Sequence, residues 1–231
     1  MINTISIDAP DSKMELMLGV PDGAGPFPTL VVCHHRWGLD KFTQAVIQRL
    51  NENGFIAGAP RFYHRRPADE DTGESMKYLD DGQIIADIRT TAAYLQQQPK
   101  AKKGAEGIMG HCMGGRHSFL GATAHPFKAA VMLYGGGVNH QRNGKPAPLT
   151  RASGIACPIL GFFGKDDKNP SPADMAEVDK ELTRLGKKHE FHPYDGAGHA
   201  FQNFTDEAGR YRPEASEDAW RRYLAFFRET L

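Results

Sequence analysis

The sequence has no excess of charge of either sign, since Lys plus Arg and Asp plus Glu each number 28 in 231 residues. This balance argues against binding to nucleic acid or to an anionic membrane surface. The sequence also lacks a long apolar run near its N-terminus, where residues 1–10 include Asp8. We therefore expect neither a signal peptide nor a membrane span, and we predict a cytoplasmic protein.

Cysteine is scarce, with Cys33, Cys112 and Cys157 only, and no two of them have C-x-x-C spacing. Three cysteines cannot all pair within one chain, so we expect free thiols in a reducing compartment and no thiolate metal site. His34 and His35 could suggest a metal, but neighbouring residues in an extended segment point to opposite sides. The sequence therefore predicts no metal centre.

Short apolar segments alternate with amphipathic helical patterns along the chain, and no repeat, low-complexity segment or linker interrupts them. This pattern predicts a single α/β domain over 1–231, with a mostly parallel central sheet flanked by helices. The predicted strands are 13–20 (an outer strand), 29–34, 55–60, 104–109, 129–134, 158–163 and 189–194. One predicted helix is capped by Asp40 and stopped by Asn53-Gly54, and the others are 82–97, 114–124, 172–185 and 214–230. Segments 61–81 and 138–156 are predicted to be surface loops, the first of which could cover a site.

The segment Gly110-His111-Cys112-Met113-Gly114 has the form G-x-C-x-G, which is the nucleophile-elbow pattern with cysteine in place of serine. Small residues are needed on both sides of the nucleophile, because the strand and the helix pass close together there. A thiol at the N-terminus of the helix is favoured as the thiolate. The alternative is a buried structural cysteine in a glycine-rich turn.

Two further groups follow later strands in the order that α/β-hydrolases use, which is nucleophile, acid and histidine. Asp166 and Asp167 follow one predicted strand, and His199 follows the last. Each alone could be a turn former or a surface histidine. Together they predict a triad, with Cys112 attacking a carbonyl, His199 moving the proton and an aspartate orienting the ring. The spacing from Gly164 favours Asp167 over Asp166.

An oxyanion hole is expected from the backbone N–H groups of Met113 and of a residue near Arg36, in the loop after the strand 29–34. Within this loop we expect His34 to be packed and His35 to face the pocket and Cys112. His35 could instead pack against Trp37 or cap the helix that starts near Asp40. We also predict that Tyr134, at the end of a strand, contributes to the substrate-binding site.

These residues resemble the dienelactone hydrolase family, a cysteine branch of the α/β-hydrolases. The resemblance rests on VVCHHRWGLD, GAPRFYHR, GHCMGG, YGGG, GKDDKNPSP and YDGAGHAF, at 31–40, 58–65, 110–115, 134–137, 164–172 and 194–201. It implies that Cys112, Asp167 and His199 form the triad and that no cofactor is needed. His35 takes the place of a glutamate that tunes the thiol in dienelactone hydrolase, and Asn203 takes the place of an arginine that binds the substrate carboxylate there. These differences leave dienelactone itself open as the substrate, and Arg36, Arg61, Arg65 or Arg66 could form another anion site.

The sequence thus predicts a cofactor-independent hydrolase of lactones or small carboxylic esters that works through an acyl-enzyme. A thioesterase and a non-catalytic binding protein with the same fold are the alternatives. A thiol redox protein is disfavoured, because no second cysteine lies near Cys112 in the sequence. The expected partner is a small-molecule ester or lactone, without nucleic acid or membrane, and the expected assembly is a monomer or a homodimer.

Overall fold

The structure is a computed structural model, and it describes residues 2–142 and 144–231. Residue 1 and residue 143, which belongs to the predicted loop 138–156, lie outside the described residues. An eight-stranded sheet forms the centre, with the strand order β1-β2-β4-β3-β5-β6-β7-β8. The strands are β1 (Ile2–Asp8), β2 (Lys13–Gly19), β3 (Phe27–Cys33), β4 (Ile56–Pro60), β5 (Ala101–His111), β6 (Ala129–Leu133), β7 (Ile159–Gly164) and β8 (His189–Tyr194). The first two strands pair antiparallel, as do β2 and β4, and the remaining pairs are parallel.

Helices connect the parallel strands and cover both faces of the sheet. They are α1 (Lys41–Glu52), α2 (Thr72–Lys77), α3 (Asp81–Gln96), α4 (Met113–Ala122), α5 (Pro172–Arg184) and α6 (Pro213–Thr230), with a 3₁₀ helix at Pro148–Gly154. No helix in the described ranges is long and apolar enough to cross a bilayer. The mostly parallel sheet flanked by helices confirms the predicted α/β-hydrolase fold.

The central strands β4, β6 and β7 bury both of their faces, as parallel strands between helical layers must. Along β3, Leu30 and Val32 pack into one core with α1 and α6, whereas Val31 and Cys33 pack into the other with α3, α4 and α5. This two-residue alternation follows from the pleat of the strand. The sheet is thereby held from both sides, and the ends of its strands provide fixed positions for functional side chains.

Local sequence signals account for where the helices begin. The side chain of Asp40 accepts a hydrogen bond from the Thr43 N–H at the start of α1, as expected for an N-cap. Ser171 and Asp174 form a reciprocal capping box at the start of α5. Both helices then turn one apolar face to the sheet, which in α5 consists of Met175, Val178 and Leu182.

The structure differs from the sequence prediction at the N-terminus and in the two loops. The prediction that 13–20 is an outer strand is wrong, because β1 pairs along the full length of β2 and forms the edge of the sheet. The predicted loop 61–81 contains α2, and the predicted loop 138–156 contains the 3₁₀ helix. These short elements have too few residues for a clear periodic pattern.

Candidate active site

Cys112 lies at the sharp turn between β5 and α4, with φ 57° and ψ −122°, a conformation that L-residues rarely adopt. The turn is fixed because the Cys112 N–H donates to Leu133 O at 3.0 Å. The flanking glycines are required by contact: a Cβ on Gly110 would lie 2.0 Å from Gly114 O, and one on Gly114 would lie 2.0 Å from Cys33 O. The strained turn therefore presents the thiol above the end of the sheet, as the elbow pattern predicts.

A continuous chain of contacts joins Cys112, His199 and Asp167. The Cys112 Sγ lies 3.0 Å from His199 Nε2, and His199 Nδ1 lies 2.9 Å from Asp167 Oδ2. Asp167 is buried, and its other oxygen accepts a hydrogen bond from the Asn169 N–H at 2.9 Å. Asp166 is exposed and does not take part in this chain. The geometry thus brings together the three residues predicted from the sequence and selects Asp167 as the acid in contact with His199.

The electrostatics of this chain favour an ion pair between the thiolate and the imidazolium. Burial acts to raise the pKa of Cys112, but the His199 hydrogen bond and charge outweigh it and hold that pKa below the usual range of a thiol. Burial likewise acts to lower the pKa of His199, but hydrogen bonds with Asp167 and Cys112 raise it to about 10. Each charge stabilises the other, as in activated cysteine nucleophiles.

Two backbone N–H groups converge on the Cys112 sulfur. They belong to Met113 and Arg36, the positions predicted for the oxyanion hole, and both favour the thiolate and lower the pKa of Cys112. The Arg36 carbonyl is held from the other side, because the Tyr63 hydroxyl donates to it at 2.8 Å. Donors placed in this way can also stabilise negative charge on a carbonyl oxygen under attack.

The loop that carries Arg36 is anchored by two histidines that point in opposite directions. His34 is buried, its Nδ1 lies 2.6 Å from His35 O, and its Nε2 accepts from the Phe62 N–H at 3.1 Å. Burial lowers the pKa of His34 to about 4, so this ring is neutral at physiological pH. These contacts agree with the prediction of a packed His34.

His35 lines the cavity, and its ring contacts two residues of the segment that begins α1. Its Nε2 lies 2.9 Å from Asp40 Oδ2. The ring also meets Phe42 edge-on, at 5.2 Å between centroids. The contact with Asp40, which caps α1, agrees with the alternative given for His35, and its orientation towards Cys112 stays a prediction.

Tyr134 lies against His199 at the end of β6, with a positive φ of 39°. Its ring packs edge-on against His199, with centroids 5.3 Å apart, and its buried hydroxyl has no hydrogen-bond partner within the described residues. Burial and the nearby Cys112 charge raise its pKa well above the usual range. Tyr134 therefore remains a hydroxyl donor on the cavity wall, consistent with the predicted binding role.

These residues open onto a cavity of about 610 Å³, a size typical of small-molecule sites. Its walls also include residues that the sequence does not predict for the site, namely Trp37, Met76, Arg116, His140, Arg142, Asn169 and Arg210. Arg142 was missed because it lies in 138–156, which has no periodicity. The signal that could have found it is its position after a strand of a parallel sheet, where ligand-binding loops gather.

The arginines proposed from sequence as an anion site are mostly engaged elsewhere. Arg61 pairs with Glu15 at 2.9 Å, Arg65 with Asp87 at 2.7 Å, and Arg66 with Glu70. None of these three lines the cavity, whereas Arg36 does. Asn203, in the place of an arginine in dienelactone hydrolase, also lies on the wall, and its Oδ1 accepts from Thr205.

Comparison with known proteins supports the family resemblance found in the sequence. The sequence matches the Dienelactone hydrolase family over residues 14–231. A Synechocystis protein provisionally named carboxymethylenebutenolidase is 28% identical over 243 residues, covering 100% of this chain and 98% of that protein. A Methylorubrum extorquens protein of the same provisional name is 30% identical over 235 residues, with 97% and 80% coverage.

A solved structure shares the whole fold. The crystal structure of a provisionally assigned dienelactone hydrolase from Klebsiella pneumoniae superposes with a TM-score of 0.88 at 28% identity, covering 98% of both chains. The match therefore extends over the sheet, the helices and the loops that carry the elbow and the histidine. The chain belongs to the dienelactone hydrolase family of α/β-hydrolases, which confirms the family and the ester and lactone hydrolase class predicted from its sequence.

Proposed function

We propose that this protein hydrolyses lactones or small carboxylic esters through a thioester formed on Cys112. The observation that carries the proposal is the chain from Cys112 Sγ to His199 Nε2, 3.0 Å, and from His199 Nδ1 to Asp167 Oδ2, 2.9 Å. Nucleophile, proton carrier and orienting acid are thus in contact and in the required order. The provisional name carboxymethylenebutenolidase of two relatives, which denotes a hydrolase of an unsaturated lactone, agrees with this substrate class.

In the acylation step, the Cys112 thiolate attacks the substrate carbonyl carbon. The carbonyl oxygen becomes negatively charged and accepts hydrogen bonds from the N–H groups of Met113 and Arg36. The C–O bond of the ester then breaks, and the His199 imidazolium donates its Nε2 proton to the leaving alkoxide. In a lactone the resulting alcohol stays joined to the acyl group, so a ring-opened thioester remains on Cys112.

In the deacylation step, neutral His199 removes a proton from water, and the oxygen attacks the thioester carbonyl. The C–S bond breaks, the carboxylic acid is released, and the Cys112 thiolate and His199 imidazolium form again. Asp167 keeps His199 Nδ1–H directed towards itself throughout, so that Nε2 faces the reacting atoms. The step requires only water, and no cofactor enters the reaction.

The test is a screen of unsaturated five-membered lactones, 4-nitrophenyl esters and acyl thioesters with the parent and with Cys112→Ala. We expect kcat/KM for lactones and esters to fall by about 10³-fold or more in the variant. Cys157→Ala is the matched control, since Cys157 is a buried thiol outside the cavity, and it should retain activity. Mass spectrometry of the parent with a slow ester should detect an acyl group on Cys112.

A second pair of variants tests the acid. Asp167→Asn should lower kcat by about 10²- to 10⁴-fold, because His199 loses its orienting carboxylate. Asp166→Asn should change kcat by only a few-fold, since Asp166 is exposed and outside the contact chain. Unchanged turnover in Cys112→Ala would reject the thioester mechanism, and turnover of thioesters alone would indicate a thioesterase. No turnover of any class by the parent would favour a binding protein.

A further inference from the structure

A buried polar contact joins the two segments that carry Cys112 and His199. His111 precedes Cys112 at the end of β5, and its Nε2 lies 3.0 Å from Gln202 Oε1. Gln202 follows His199 by three residues, and its Nε2 donates to Ser216 O in the first turn of α6 at 3.0 Å. One amide side chain therefore connects the end of β5, the loop of His199 and the start of α6.

The direction of each hydrogen bond in this contact is determined by the partners. Because Ser216 O can only accept, the Gln202 Nε2 group points to it, and Gln202 Oε1 accepts from His111 Nε2–H. Burial lowers the pKa of His111 to about 3, so its ring is neutral near pH 7 and keeps this donor role. Both side chains are buried, so loss of the contact would leave a polar group without a partner in the interior.

The loop of His199 adopts a conformation that its own sequence does not favour. Ala200, directly after His199, has φ 62°, which L-residues rarely adopt, and Gly196 and Gly198 restrict the backbone before it only weakly. The His199 side chain is 27% exposed, so burial alone does not fix its position. A strained segment persists where the surrounding structure determines it, and the hydrogen bonds of Gln202 supply part of that restraint.

His111 is a suitable anchor because aromatic side chains contact its ring. Phe42 of α1 meets it edge-on, with centroids 5.0 Å apart, and the Tyr134 centroid lies at 5.9 Å. Tyr134 in turn packs edge-on against His199 at 5.3 Å. His111 is thus linked to the His199 loop through the Gln202 amide and to the His199 ring through Tyr134.

We propose that Gln202 is a positioning residue, which keeps His199 Nε2 in contact with Cys112 Sγ by joining the His199 loop to His111. The inference deepens the proposed hydrolase function, on which its kinetic part rests. Neither Gln202 nor His111 lines the cavity, so Gln202 acts on the reaction through His199 and touches no substrate. Because a hydrogen bond weakens steeply when its angle is distorted, a small shift of the loop reduces the stabilisation of the thiolate by His199.

The test measures the ionisation of Cys112 through its rate of alkylation by iodoacetamide across a pH series. In Gln202→Leu, which keeps the size of the side chain but removes both hydrogen bonds, we expect the midpoint of this profile to rise by about one pH unit or more. Ester kcat should fall by about 10- to 100-fold, whereas KM should change by less than about threefold because the cavity lining is intact. The other ionisable groups that act on Cys112 are the same in every variant, namely Tyr63, Tyr134 and Arg210.

Gln96→Leu is the matched control for the loss of two hydrogen bonds by a glutamine. The Gln96 side chain donates to Thr29 Oγ1 at 2.7 Å and accepts from the Gly104 N–H at 2.9 Å. These contacts join α3 to the first halves of β3 and β5, away from the carboxyl ends of the strands. The substitution should lower the melting temperature but leave the alkylation profile of Cys112 and the ester kcat unchanged.

The double variant His111→Phe with Gln202→Leu separates positioning from stability. It leaves no unpaired polar atom between the two positions, so its melting temperature should lie above that of Gln202→Leu. Its alkylation midpoint should stay raised, because the link to the His199 loop is still absent. Circular dichroism spectra check that all variants are folded.

Three results would overturn the proposal. They are an alkylation midpoint in Gln202→Leu equal to that of the parent, a midpoint restored to the parent value in the double variant, or an equal shift in Gln96→Leu. If the parent hydrolyses no ester, the proposed function fails, while the alkylation profiles still decide whether Gln202 positions His199 against Cys112.

Discussion

The three cysteines should differ widely in their rates of alkylation at about pH 7, and this difference follows from their surroundings. Cys112 contacts His199 at 3.0 Å, and its pKa is lowered. Cys157 has no histidine partner among the residues that the structure describes, and burial raises its pKa to about 11. Cys33 is fully buried within β3, which raises its pKa further and blocks access of a reagent. Because the thiolate is the nucleophile, Cys112 should react first.

The expected size of the effect can be worked out from these pKa values. At pH 7 a thiol with a pKa of about 11 is ionised to about 10⁻⁴, whereas an ordinary exposed thiol reaches about 3%. The nucleophilicity of a thiolate rises with its pKa, which offsets part of this difference in ionised fraction. Cys157 should therefore be alkylated about 20-fold more slowly than an ordinary thiol. Each unit by which the pKa of Cys112 falls adds about threefold to its rate, as long as that pKa stays above the assay pH.

The assay is limited treatment with iodoacetamide across a pH series, followed by peptide mass spectrometry of the three sites. In His199→Ala, burial of Cys112 remains but its stabilising cation is gone, so alkylation of Cys112 near pH 6 should slow by about tenfold or more. His189→Ala is the matched control, since His189 pairs with Asp179 at 3.1 Å outside the cavity. Equal labelling of all three cysteines, or no effect of His199→Ala, would refute an activated thiol.

Two further predictions concern the turn and the pH dependence. Gly114→Ala should destabilise the fold by about 3 kcal/mol or more, because its Cβ would lie 2.0 Å from Cys33 O. Gly104→Ala should lower the stability by only about 1 kcal/mol, because its Cβ enters open space and only the positive φ is unfavourable. Thermal unfolding of both variants measures the difference. With increasing pH, kcat/KM for esters should rise as Cys112 ionises, at a pH below the usual pKa range of a thiol. It should fall again near pH 10, where His199 loses its proton. Asp167→Asn should shift this fall in activity to lower pH, because the pKa of His199 is then no longer raised by the Asp167 carboxylate. An unchanged pH profile would show that Asp167 does not raise the pKa of His199.

The contacts among Cys112, His199 and Asp167 could be predicted from sequence because each residue is tied to a local backbone signal. Gly110 and Gly114 mark a turn in which strand and helix approach closely, and the structure shows backbone contacts at both positions. Asp167 and His199 follow strands whose carboxyl ends meet at one edge of the sheet. The order of the three along the chain predicts a role for each, and this prediction needs little knowledge of tertiary packing.

The edge of the sheet could not be found in this way. Strand β1 is largely exposed, and it is ordered by pairing with β2, a partner that segment 1–10 alone does not reveal. The place of Arg142 on the cavity wall also depends on the folded molecule, because segment 138–156 has no periodic pattern that would position its side chains.

His35 illustrates how much of a residue's surroundings the sequence leaves open. The sequence places it in the loop after β3 and next to the cavity, where a glutamate stands in dienelactone hydrolase, and predicts that it faces Cys112. In the structure the ring turns to Asp40, which caps α1, while His34 bonds to the backbone on the other side of the loop. His34 and His35 therefore contact different elements on either side of Arg36, whose backbone N–H lowers the pKa of Cys112. Because a preorganised N–H needs no rearrangement during a reaction, we expect these contacts to matter if Arg36 serves as the predicted oxyanion donor.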